Sequence, residues 1–268
     1  MKILTSVKTI LCSANIPRLG LLINLVLSCF VFVESAYSKE AQHEEQSNSV
    51  EIQPYDLHYI ADIGGIRIES RHQLQKEDGQ YKIKTKAKNF LGKVTEQASF
   101  EVSKNGTIIP IKYAKHQKTM MGKRSELQEF DWATNLLSYS VNKNQGKVTI
   151  SPDQFDRLSL IQQLRLDVAS SSKKFAYTVI RKGAFKQYQY QVIGNEILNT
   201  SKGTYNTVLV ERQEKNSTKK TRMWFASDWD FAILKMETFE KNSKKTMVLD
   251  QGTLNGISIL PLKNTTEI

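Results

Sequence analysis

From Tyr55 onward, apolar and polar residues alternate with a period of two, the pattern of strands that bury one face. Residues 55–63 form the first such run, Gly64-Gly65 interrupts it, and residues 66–75 resume it. Asp78-Gly79 is a hairpin turn signal. The next run puts Tyr81, Ile83, Thr85 and Ala87 on one face and Lys82, Lys84, Lys86 and Lys88 on the other. Strand patterns follow at 95–102, 108–118, 125–131 and 136–141, punctuated by Asn105-Gly106 and by residues 144–146. They return at 175–181, 187–193, 208–214, 222–226, 231–240 and 246–254.

One segment changes period. Ser151-Pro152-Asp153-Gln154 reads as an N-cap serine, a proline at the first helical position and a glutamine closing a capping box. Phe155, Leu158, Ile161 and Leu164 then recur at helical spacing through about Ser170, which predicts an amphipathic helix with a wide apolar stripe. About a dozen antiparallel strands around one central helix predict a mainly β fold. The expected form is a strongly curved antiparallel sheet or half-open β-barrel, because curvature shortens exposed edges. The helix is expected on the concave side, leaving an apolar cleft between helix and sheet.

The segment before Tyr55 has another character. Lys2, Lys8 and Arg18 precede an apolar run at 19–33, and Ala36-Tyr37-Ser38 follows. This order predicts a secretory signal peptide at 1–38, cleaved near Ser38. The run is shorter than the ~20 apolar residues of a membrane-spanning helix. An uncleaved anchor in the inner membrane is the alternative, and a lipoprotein signal at Cys29 a further one. Residues 39–54 are polar and acidic and read as a flexible leader. Residues 55–255 then form a single β-rich domain, and 256–268 a C-terminal tail.

Both cysteines, Cys12 and Cys29, fall within the signal, so the exported chain has no disulfide and no thiol chemistry. A cysteine-free exported domain fits a bacterial periplasm. The whole chain carries +11, and the first 38 residues hold three of the 38 basic and one of the 27 acidic residues, which leaves +9 for the rest. Such a surface favours anionic neighbours. In this compartment these are a lipid or another anionic envelope component, with peripheral membrane contact, and not nucleic acid. The oligomeric state is left open.

Several short motifs together resemble a known family. A tyrosine-rich first strand leads into Gly64-Gly65-Ile66-Arg67, and Asp78-Gly79-Gln80-Tyr81 opens a tyrosine strand. The mid-chain helix includes Gln162-Gln163-Leu164-Arg165. Then come Glu196-Ile197-Leu198-Asn199-Thr200 with Gly203 and Thr204, and the hairpin Trp224-Phe225-Ala226-Ser227-Asp228. The set resembles the bacterial periplasmic family catalogued as domain of unknown function 3108, over roughly 55–254. Ala232-Ile233-Leu234 stands where that family usually has a Leu-Pro pair. The resemblance implies an exported β-rich protein with no assigned activity. The Trp hairpin, ending at Lys235-Met236-Glu237, is also similar to that of periplasmic lipoprotein carriers, half-closed barrels that hold acyl chains. That second likeness is architectural and transfers function poorly.

The candidate ligand-binding residues are Phe155, Leu158, Ile161 and Leu164 of the helix with Trp224 and Trp229 of the hairpin. Phe225, Phe231 and Met120-Met121 are further aromatic or pliable apolar candidates, although such residues more often pack a core. Lys82, Lys84, Lys86 and Lys88 could contact an anionic group, but lysines on an exposed strand face also discourage aggregation. Lys112, His116 and Lys118 share one face of another strand. Asp228 and Asp230 flank Trp229 and read as turn residues. His58, His72 and His116 lie on separate strands without zinc spacing. The chain has no His-Glu-x-x-His and no nucleophile elbow, so no catalytic residue, metal or cofactor is expected. The leading expectation is a non-enzymatic periplasmic protein binding a lipid or other apolar or anionic envelope ligand. The alternatives are an envelope scaffold with a filled barrel and a hydrolase of envelope glycans or lipids.

Overall fold

The structure, a computed structural model, describes residues 51–170, 172–214, 217–241 and 243–262. The expected signal segment and most of the expected leader lie outside these residues.

The N-terminal half is a run of hairpins: β1 (Tyr55–Ile63), β2 (Ile66–Glu77), β3 (Gln80–Asn89), β4 (Gly92–Val102), β5 (Ile108–Thr119), β6 (Gly122–Asp131), β7 (Leu136–Val141) and β8 (Asn144–Thr149). A two-residue strand β9 (Gln154–Phe155) leads into the helix α1 (Arg157–Ala169). Then follow β10 (Lys174–Arg181), β11 (Ala184–Thr200), β12 (Gly203–Glu214), β13 (Lys220–Ala226), β14 (Ala232–Glu240), β15 (Ser243–Leu254) and β16 (Ile257–Ser258). All belong to one sheet, ordered β8-β7-β6-β5-β4-β3-β2-β1-β15-β14-β13-β12-β11-β10-β9, with β16 beside β15. Every pairing is antiparallel except β9 with β10. The mainly β, strongly curved sheet around one helix is the architecture expected from the alternation.

The period of two does what it should. On β3, Tyr81 and Ile83 are buried while Lys82, Lys86 and Lys88 face solvent. Leu57, Tyr59, Leu74, Phe100, Tyr113, Val210, Met223 and Phe225 extend the same buried layer around the curve and enclose Leu160, Leu164 and Val168 of the helix. Pairing of β1 with β15 joins the two halves. The sheet's ends, β8 and β9, are not bonded in a ladder. They meet across a small second core of Phe130, Leu137, Ile150 and Ile180. Gln128 of β6 donates to the Ile180 carbonyl at 3.1 Å, and the Lys182 N–H donates to Glu126 at 2.8 Å.

Four expectations are corrected. The helix starts at Arg157 rather than Asp153. Ser151 and Gln154 do make reciprocal bonds, 3.3 and 2.8 Å, but these close a turn in which Asp153 is left-handed. Phe155 is extended, paired with Val179 on β10, and buried. The helix cap is Asp156, which accepts the N–H groups of Leu158 and Ser159 at 2.8 and 3.0 Å. Second, the helix is not amphipathic: Ser159, Gln162, Gln163 and Arg165 are buried as well as Leu160 and Leu164, because sheet surrounds it. Third, residues 144–146 are strand and not turn; Asn142, left-handed, makes the turn two residues earlier. Fourth, the fold outruns its expected limits. Ile52 is buried with its N–H on the Tyr81 hydroxyl at 3.2 Å, so the end of the supposed leader is fixed. In the supposed tail, Ile259 is buried and the Leu262 N–H donates to the Thr204 carbonyl at 2.8 Å.

Candidate functional site

The helix is held inside the sheet by polar side chains aimed in several directions. Gln162 donates to the Tyr55 hydroxyl at 3.0 Å, and Gln163 accepts the Ile108 N–H at 2.7 Å. Arg157 lies 3.1 Å from Glu96, which also accepts from Lys115 at 3.1 Å and from the Tyr113 hydroxyl at 2.8 Å. Burial alone would push the Glu96 carboxyl up, but the Arg157 and Lys115 charges and the Tyr113 bond hold it below the usual carboxylate range. Asp167 takes the Tyr177 hydroxyl.

With the helix so placed, little space remains inside. The void against its inner face measures about 70 Å³ and is lined by Leu158, Ile161, Arg165, Tyr59, His72 and Met236 among others. A water's share of liquid volume is about 30 Å³, and ligand pockets usually span about 300–1,000 Å³. The expected apolar cleft between helix and sheet is therefore filled.

An open groove of ligand size lies elsewhere, at the helix's C-terminal end. It measures about 720 Å³. Its wall is built from Val168 and Ala169 of the last helical turn, Val192 and Ile197 of β11, Val208 of β12 and Phe231. The backbone explains the opening. β11 loses register with β12 between Val192 and Gly194, and Gly194 has φ +157°. Ile197 is left 63% exposed. Polar groups stand among the lining residues: Lys173, Glu196, Asn206 and Ser227. Glu196 is fixed by the Trp224 indole N–H.

The structure divides the expected ligand-binding residues. Leu158 and Ile161 touch the small internal void, while Phe155 and Leu164 are core. Trp224 is buried, with Lys235 4.7 Å above its ring, and Trp229 donates to the Leu260 carbonyl at 3.1 Å; neither lines the large cleft. Of the hairpin aromatics only Phe231 does, Phe225 being core. The cleft's other members carry no signal in the sequence, because they are brought together by a bulge and a helix end.

The lysine face of β3 is real and borders two outer hollows. Lys82 and Lys84, with Lys112, border one of about 380 Å³; Lys86 and Lys88, with Arg67, Arg71 and Lys93, border one of about 550 Å³. Lys82 pairs with Glu77 at 2.5 Å and Lys88 with Glu69 at 3.7 Å. Asp228 accepts from Asn206 at 2.9 Å and Asp230 pairs with Arg165. His72 faces inward, 2.8 Å from the Ser70 hydroxyl, beside a void too small for a substrate. Among the described residues no group of three His, Cys, Asp or Glu could hold a metal ion, and no helix is long and apolar enough to cross a membrane.

Fold and cavities together define a β-barrel-like protein whose interior is filled by one helix. Residues 54–250 match the family described as protein of unknown function DUF3108, and the chain belongs to that family. Its fold is similar to that of a crystal structure of a β-barrel-like protein of domain of unknown function DUF1849 from Brucella abortus. The TM-score is 0.55 at 8% identity, over 76% of this chain and 99% of that one. No curated protein matches the chain.

Proposed function

We propose that the protein is a non-enzymatic binding protein of the bacterial envelope, and that it takes a ligand with an apolar chain in the cleft at the end of the helix. The observation that carries this is the 720 Å³ cleft walled by Val168, Val192, Ile197, Val208 and Phe231. Burying an apolar chain there gains about 0.8 kcal/mol per methylene. Lys173 at the same cleft supplies a cation for an acidic head group. The N-terminal order of charge, apolar run and small residues supports an exported protein.

The test is titration of the full chain with the fluorescent fatty acid cis-parinaric acid, competed with palmitate. Ala169 and Ile197 are exposed cleft residues, so Ala169→Glu/Ile197→Glu leaves the core intact. Saturable one-site binding weakened at least tenfold in the double variant is the expected result. Absence of saturable binding, or binding that the variant leaves unchanged, would sink the reading. The filled interior favours one second reading, a rigid interaction module of the envelope, which such a failure would bring forward.

A further inference from the structure

Two adjacent hairpin turns at one end of the barrel carry bare apolar pairs. Phe90-Leu91 joins β3 to β4 and Met120-Met121 joins β5 to β6. Phe90, Met120 and Met121 are 80%, 84% and 95% exposed. The two turns form one unit. The Met120 N–H donates to the Leu91 carbonyl at 3.3 Å. Asn89 Oδ1 accepts the N–H groups of Leu91 and Gly92 at 2.9 and 3.1 Å. Gly92 has φ +155°, and a Cβ there would meet the Lys118 carbonyl oxygen at 2.3 Å, so glycine is what lets the second turn press on the first. An apolar patch built this rigidly and left open marks an interaction surface.

A row of four lysines runs directly behind the turns. Lys88 on β3 stands opposite Lys93 on β4, Lys93 opposite Lys118 on β5, and Lys118 opposite Lys123 on β6. All four are exposed. Strands spaced about 4.8 Å apart spread the row over about 14 Å. Like charges directly opposed across a ladder are destabilising. Only Lys88 has a carboxylate partner among the described residues, Glu69. The turns at the other end of the barrel mix signs, with Asp78, Asp153, Asp228 and Asp230 beside Lys104 and Lys202.

We propose that this end of the barrel docks on a bilayer leaflet rich in anionic phospholipid. Phe90, Leu91, Met120 and Met121 enter the boundary between head groups and acyl chains, and the lysine row meets the phosphates. Apolar insertion and electrostatic attraction are the two terms that hold a peripheral protein on such a surface. The occupant follows from the charge. A second copy would bring its own lysine row against this one. A folded protein partner would need four carboxylates in the same line, whereas a fluid anionic leaflet adapts to a row of long, flexible lysines. The ligand cleft lies toward the opposite end of the helix from Arg157, whose partner Glu96 is close to the Gly92 turn. Docking therefore stands independently of the proposed ligand.

The reporter belongs on the turn itself, because the N-terminal apolar run is common to every variant. In the full chain with Cys12→Ser and Cys29→Ser, Met121→Cys is labelled with the environment-sensitive fluorophore NBD. Vesicles of phosphatidylethanolamine and phosphatidylglycerol should blue-shift and brighten the label, and nitroxide lipids should quench it. Vesicles of phosphatidylcholine alone should do neither. Lys93→Gln/Lys118→Gln should weaken the partition roughly 25-fold, at about fivefold per lysine. These positions are exposed, so an unchanged Tm will show that the fold is kept. An unchanged NBD spectrum, an equal response to phosphatidylcholine, or a lysine variant that partitions like its parent overturns the proposal.

Discussion

Arg165 of the helix lies 2.9 Å from the carboxylate of Asp230, one of two successive left-handed residues in the β13–β14 turn. The Arg165 side chain is 4% exposed; it also donates to Gln162 at 2.9 Å and sits 5.0 Å from the centre of the Tyr55 ring. One residue thus ties helix, β1 and the distant Trp hairpin together. Asp230 is a third exposed, so removing Arg165 costs chiefly the packing on Tyr55 and the bonds to Gln162 and the Asp230 carbonyl, which leave buried acceptors unpaired. Arg165→Ala is expected to lose about 3 kcal/mol in urea unfolding, most of it returned in no way by Arg165→Lys, which cannot keep the fork geometry. A loss below about 1 kcal/mol for the alanine variant would show the pair to be incidental.

On mild acidification two buried groups pull stability in opposite directions, and His72 is the one that lowers it. Burial holds its imidazole down at about 4, with the Glu96 carboxylate pulling weakly upward. The unfolded chain binds the proton first, near 6.5. The neutral ring's contribution is therefore whole above 6.5 and is lost as pH falls toward about 4. His72→Leu should flatten the curve, so that between pH 6.5 and 4.5 wild type loses about 2 kcal/mol more than the variant. Parallel curves would remove His72 from the account. Glu96, held low, acts in the same direction at lower pH.

The strand half of this fold was legible because a β3 reading of Tyr81, Ile83 and four lysines has one arrangement that buries the first set and solvates the second. The helix was half legible. Leu158, Ile161 and Leu164 announced a stripe, but Gln162, Gln163 and Arg165 ordinarily mean a wet face. Only the sheet that surrounds them, offering Tyr55, Ile108 and Asp230 as partners, makes burial affordable. The candidate cleft was not legible, since it depends on where β11 bulges. The apolar pair Phe90-Leu91, between Asn89 and Gly92, was a signal open to reading, as was its counterpart Met120-Met121.

The helix start gives a local prediction. Asp156 is fully buried; burial pushes its carboxyl up to about 6, against bonds from the Ser159 hydroxyl and from the N–H groups of Ser159 and Leu158. Caps of this kind contribute about 1–2 kcal/mol. Asp156→Ala should lose about 2 kcal/mol, whereas Asp156→Asn, which still accepts both N–H bonds and carries no charge to bury, should lose under half as much at pH 7. Equal losses in chemical denaturation would mean that the charge, not the cap, is what the site uses. A raised carboxyl also favours the fold as pH falls from about 6 toward 3.8, opposing the His72 effect.

Beside the second core, one aromatic side chain bridges the open seam of the sheet. Tyr139 of β7 fits between two glycines: a Cβ on Gly146 would meet its hydroxyl at 2.7 Å, and a Cβ on Gly183, in the β10–β11 turn, would meet its ring at 2.3 Å. Gly183 also has φ +74°, so alanine there suffers both a clash and backbone strain. Gly183→Ala should cost about 3 kcal/mol, and Tyr139→Ala about 2 kcal/mol from lost packing. If the ring is what Gly183 accommodates, the double variant should cost about 1–2 kcal/mol less than the sum, because removing Tyr139 relieves the clash and leaves only the strain. Urea unfolding of the four proteins reads the coupling. Additive losses would mean that Tyr139 and Gly183 do not constrain each other, and that the seam rests on the second core with Gln128 and Glu126.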